Sequence, residues 1–134
     1  MPSVEARIIA RLRGYADVGA LVGEQVYGGF ARAGTPLPYI VVTRISGSPL
    51  NTLSGPNTLG DNECRLQVDC FAGKYGDVKR IADAVRGALS GYTDSGAGIT
   101  SCLLDNEIDD TDEPTDASNV VTQRVIQDYI VFYK

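Results

Sequence analysis

Seven carboxylates crowd residues 105–116: Asp105, Glu107, Asp109, Asp110, Asp112, Glu113 and Asp116. They are the one constellation in the chain that could hold a ligand, and the ligand such groups favour is a hard cation, which takes several carboxylate oxygens at once. The spacing fits no EF-hand. Asp110, Asp112, Glu113 and Asp116 lack the loop glycine and the distant bidentate glutamate, and Pro114 interrupts them. A solvated acidic loop over 105–118 is the plainer expectation.

The chain contains no histidine, which removes Ser-His-Asp and Cys-His nucleophile systems and every histidine-bearing metal site. Gly73-Lys74 resembles part of a phosphate loop. Val68, however, stands where that motif needs its other glycine, and Tyr75 stands where it needs a magnesium-binding Ser or Thr. Ser95-Gly96-Ala97-Gly98 lacks the rest of a dinucleotide fingerprint and leads into a strand pattern, so it reads as a turn. No catalytic residue, metal site or cofactor is expected. Cys64 and Cys70 lie six residues apart on one strand pattern, about 20 Å at the usual rise, too far to bridge. Cys102 could face one of them across a sheet, but reduced, buried thiols fit a cytoplasmic chain better.

The groups just named must be held by the rest of the chain, whose bulk is that of one ordinary domain: 134 residues, 43% hydrophobic and 22% charged. The net charge of −5 opposes general nucleic-acid binding, which needs clustered Lys and Arg. No apolar run approaches the roughly twenty residues that span a bilayer. The opening MPSVEARIIARLRG has no uninterrupted apolar core, so no signal peptide is expected and the chain is placed in a cytoplasm.

The clearest pattern is Asn62 to Gly91. Cys64, Leu66, Val68 and Cys70 alternate with Glu63, Arg65, Gln67 and Asp69, the period of a half-buried strand. After a turn at Gly73, Val78, Ile81, Ala82, Val85 and Leu89 fall at helical spacing, with Asp77 as the expected N-cap and Gly91 closing the end. A strand followed by a helix, both amphipathic, buries both apolar sides by folding back.

Ser3 is the expected cap of a first helix with Val4, Ile8, Leu12 and Tyr15 inward, and Asp17 of a further short turn; Gln25 to Tyr27 is briefly extended. Tyr39 to Ser46 is a strand rich in β-branched residues. The segment 46–62 is Ser, Gly, Pro, Asn and Thr apart from Leu50, Leu53 and Leu59 and cannot make its own core. Ile99 to Glu107 is a strand with Ile99, Leu103 and Leu104 inward. The last strand, Val120 to Tyr133, is apolar on both faces, with Val121, Val125, Tyr129, Val131 and Tyr133 on one and Val120, Ile126, Ile130 and Phe132 on the other. The expected fold is α+β: an antiparallel sheet of about four strands with two main helices on one face, in the order α-β-β-α-β-β, as a single domain over 1–134.

The N-terminal helix followed by DVGALVGEQVYGG, then TPLPYIVV, the Gly/Ser/Pro-rich loop, RLQVDCFAGKYGDVKRIADAVRGAL and a closing alternating strand resemble the tail completion proteins of long-tailed bacteriophages, the gp17-like tail terminators. The likeness covers nearly the whole chain. It implies two helices against an antiparallel sheet, and six copies closing into a ring at the head-proximal end of the tail tube in the virion, assembled in the host cytoplasm. The implied partners are further copies of the chain, the tail tube protein and the head–tail connector or neck protein, with DNA passing unbound and no membrane involved. No catalytic residues come with it. Surfaces that stay unsatisfied until heterologous contacts cover them are what a ring subunit needs, and Leu50, Leu53, Leu59, Tyr129, Val131 and Tyr133 are the expected interface. The acidic residues Asp105 to Asp116 would then line a channel or rim and discourage DNA from sticking, a weak effect screened beyond about 10 Å. The alternative is a small cytoplasmic α+β regulatory module using the acidic loop for a cation.

Overall fold

The computed structural model describes residues 3–32, 34–49, 62–112 and 122–134. The element order is α1 (Val4–Gly14), α2 (Ala16–Val22), β1 (Val26–Gly28), β2 (Tyr39–Pro49), β3 (Asn62–Ala72), α3 (Tyr75–Leu89), β4 (Ile99–Asp112) and β5 (Thr122–Tyr133). Ser3 Oγ accepts the Ala6 N–H at 3.2 Å and so caps α1, whose inward stripe is Val4, Ile8 and Leu12. α2 starts two residues earlier than an Asp17 cap would place it, with Tyr15 at the cap position and no side-chain cap bond. Helix α3 likewise begins at Tyr75, with Lys74 at its cap position. Asp77 sits inside the first turn, where a carboxylate still favours the positive end of the helix dipole, and pairs with Arg80.

The strands form one sheet in the order β1-β2-β3-β5-β4. It has five strands, not about four, and it is mixed: the short β1 pairs parallel with β2, whereas every other pair is antiparallel. Three residues are too few to show a strand period, which is why β1 reads from sequence only as a brief extended stretch. β2 also runs past Ser46 to Pro49, continuing its ladder through a register shift between Arg44 and Ser46. The β2–β3 hairpin ends at Pro49 opposite Asn62, and Asn62 lies opposite Tyr133. The β4–β5 hairpin ends at Asp112 opposite Thr122, beside Ala72 and Gln123. The two hairpins therefore leave from opposite ends of the sheet.

The helices pack on one face, α1 against β1 and β2, and α3 against β3, β5 and β4, with α2 joining α1 to α3. Between the layers lie Ile8, Leu12, Ile40, Val42, Leu66, Val68, Ile81, Val85, Leu89, Val125, Tyr129 and Val131, the apolar burial that drives the fold. All three cysteines are free and buried in this layer. Burial raises the Cys64 thiol to about 11 and the Cys102 thiol to about 12, and pushes Cys70 up as well. They are protonated and shielded, as packing residues should be.

Candidate interaction surface

Most of the acidic stretch is strand. Residues 105–112, expected as the first part of a loop, continue β4 to Asp112 and pair with β5 along their length. Sequence pattern missed this because carboxylates are poor strand formers; an edge strand tolerates and uses them, since charge blocks pairing with foreign strands. A register shift between Leu104 and Asn106 changes which side chains face the helices. Beyond it, Glu107 and Asp109 point under α3, and Asp110 points to the other side.

Each of four β4 carboxylates meets a donor from a neighbouring element. Glu107 accepts from Arg86 and from Gln127 Nε2, both at 2.8 Å. Asp109 accepts from the Tyr75 hydroxyl at 2.6 Å and from Lys79 Nζ at 3.1 Å. These bonds, the tyrosine's first, hold the Asp109 carboxyl below its ordinary range. On the opposite side Arg65 reaches Asp105 at 2.8 Å, and Arg124 lies 3.8 Å from Asp110 and 2.9 Å from Asp69. Exposed pairs of this kind are weak individually, but together they tie the edge strand to α3, β3 and β5. Among the described residues no group of three or more His, Cys, Asp or Glu side chains could hold a metal ion. The cation-binding alternative draws no support from carboxylates already met by basic side chains. Glu113 and Asp116 lie outside the described residues, as do Leu50, Leu53 and Leu59.

The expected interface residues of β5 fall elsewhere. Tyr129 and Val131 face the helices and are fully buried within the subunit, so they cannot be the contact surface that the sequence assigned to them. Both faces of β5 are apolar, and the helices cover the odd-numbered one. Tyr133 is half-buried on this same side under the Arg7 guanidinium, 5.2 Å from its ring centre. Burial of Gln127 in the core is satisfied in full: its amide donates to Ala82 O and to Glu107, and its carbonyl accepts the Tyr129 hydroxyl at 2.7 Å.

The face that no helix covers is the even-numbered side of β5 and its neighbours. Leu103 and Ile108 of β4 oppose Ile130 and Ile126 of β5 across the ladder. Leu103 is 52% and Ile108 48% exposed, and Leu103 thus points away from the core and not into it, as its apolar character led us to expect. Ile126, Ile130 and Phe132 are half-buried. In the centre stands Asp128, between Gln67 and Asn106 in register, with no ion pair among the described residues. At one border the face is ordered by Tyr39 stacked on Phe71 at 4.8 Å and by Arg124 over the Phe71 ring at 5.5 Å. The result is an aliphatic patch framed by fixed charges, on a sheet whose opposite side is already packed.

The described residues thus form a helix-backed sheet with one face that no helix covers and half-exposed aliphatic side chains on it. The chain belongs to the family described as tail completion protein gp17, whose profile matches residues 6–134; it is a structural protein of a phage-type tail. A solved structure, the virion of a native gene transfer agent particle, contains a chain of the same fold, with a TM-score of 0.71 at 15% identity over 98% of this chain and 94% of that one. No curated protein matches the chain in sequence.

Proposed function

We propose that the chain is a tail terminator. Copies close into a ring, six-fold in the reading its family resemblance implies, that caps the head-proximal end of the tail tube, stops its growth and provides the surface to which the head or neck attaches. The observation that carries this is the open, half-exposed aliphatic face in a chain of the tail completion family: such a face is tolerated when an assembly covers it. The strand ends Pro49 and Asn62 at one end of the sheet, and Asp112 and Thr122 at the other, support a two-sided role with a neighbour in the particle at each end. Action is by shape and charge, and DNA passes a net-negative subunit without being held.

The test is assembly. Particles made without the chain should yield tails that fail to join heads and tubes of uncontrolled length; normally joined particles would overturn the proposal. Deletion of Leu50 to Leu59 should block joining while leaving the helix-backed sheet folded, and normal joining would remove that segment from the contact.

A further inference from the structure

The open face carries one half of a contact, and the other half stands at the opposite edge of the same sheet. The aliphatic side chains Leu103, Ile108, Ile126 and Ile130 share the β4–β5 side of the open face with Asp128, whose in-register neighbours are Gln67 and Asn106 and whose charge acts on Arg65. At the far edge, beyond β1, Gly29 takes a positive φ of 80° and anchors its N–H on Val42 O, and the next residue, Phe30, is thrown outward to 72% exposure. Arg32 and Arg44 are exposed near it, and neither forms an ion pair among the described residues. Glu5 is the acid facing the shallow groove that Gly28, Gly29 and Arg44 line, so the two arginines leave that edge basic.

We infer that Phe30, with Arg32 and Arg44, seats on the Leu103–Ile108–Ile126–Ile130 patch of a second copy of this chain, a guanidinium meeting Asp128. Three observations favour a second copy over another partner. The two surfaces are complementary in kind, an aromatic and arginines against aliphatics and a carboxylate, the pairing that anchors interfaces. They also carry opposite charge, which orients approach. They lie at opposite edges of the strand order β1-β2-β3-β5-β4, so one contact leaves a free half at each end, and the association is head-to-tail and closes as a ring when its rotation closes. The inference rests on the ring reading above and names the surfaces that make it.

Site-directed cross-linking on the full chain tests it. The three native cysteines are buried, so the parent chain should give no product with a short bis-maleimide. Phe30→Cys and Ile108→Cys alone should give none either, a mixture of the two should give dimers, and the double variant should give a ladder of covalent multimers. Arg32→Glu with Arg44→Glu in the double variant should reduce the ladder at least tenfold. A covalent dimer from Ile108→Cys alone would overturn the inference in favour of patch-to-patch pairing. Oligomers in sedimentation without a ladder would overturn the contact and leave the ring; monomers without cross-links at high concentration would overturn both.

Discussion

The two faces of β5 show what separates the inside of this subunit from its outside. Val125, Gln127, Tyr129 and Val131 are buried under α3, and the one polar member, Gln127, has a partner for each of its polar atoms. Ile126, Asp128, Ile130 and Phe132, one residue out of phase, are as apolar in three of four positions yet half-exposed, and the polar member has no ion pair among the described residues. An antiparallel sheet with one wet face ordinarily alternates apolar with polar. Here the second face is apolar too, which is a cost to a lone subunit and a use to an assembled one.

Substitutions on the two faces should therefore separate stability from assembly. Leu66→Ala, in the core between sheet and helices, should cost about 3 kcal/mol, lowering Tm by roughly 10 °C in a thermal scan. Gln127→Ala should cost about 2 kcal/mol, because it orphans the buried Tyr129 hydroxyl and takes a donor from Glu107. On the open face, Asp69→Ala should cost about 1.5 kcal/mol, since Asp69 is buried and binds both Arg124 and Gln67. Ile108→Ser should change Tm by about a degree or less while abolishing incorporation into particles; a large fall in Tm would place that residue in the subunit's own core and break the contrast.

The smallest effect concerns pH. Asp109 has a folded pKa below the carboxylate value of the unfolded chain, so its contribution is present above that value, about 4, and is lost as pH falls through the folded one. Asp109→Asn should thus narrow the stability difference between pH 7 and pH 3, by about a degree in Tm for an exposed pair. An unchanged difference would show that the tie from β4 to α3 carries no charge-dependent stability.

Much of the helix-facing side was legible because its periods are long. Cys64 to Cys70 and Val78 to Leu89 hold strand and helix spacing over several residues, and they fold as they read. β1 has three residues and no period to read. The start of β4 was readable, but its second half is written in aspartate and glutamate, whose intrinsic preference is for loops. There the ladder with β5 and the donors Arg86, Lys79, Tyr75, Arg65 and Arg124, all distant in sequence, override preference. The same distance hid the site: that both faces of β5 are apolar is visible in sequence, but which one the helices take depends on tertiary packing, and the expectation settled on Tyr129 and Val131 where the structure leaves Ile126 and Ile130 open. The register shift between Ile99 and Ser101 turned Leu103, and the one between Leu104 and Asn106 turned Ile108, to that open face, changes of phase that no period announces.

The central claim is that assembly covers the open sheet face, and the labelling rate of a single thiol there tests it. Ile108→Cys should react with a small maleimide rapidly in the free chain and at least tenfold more slowly in purified particles. Equal rates for Cys at position 108 in the free chain and in the particle would contradict the account.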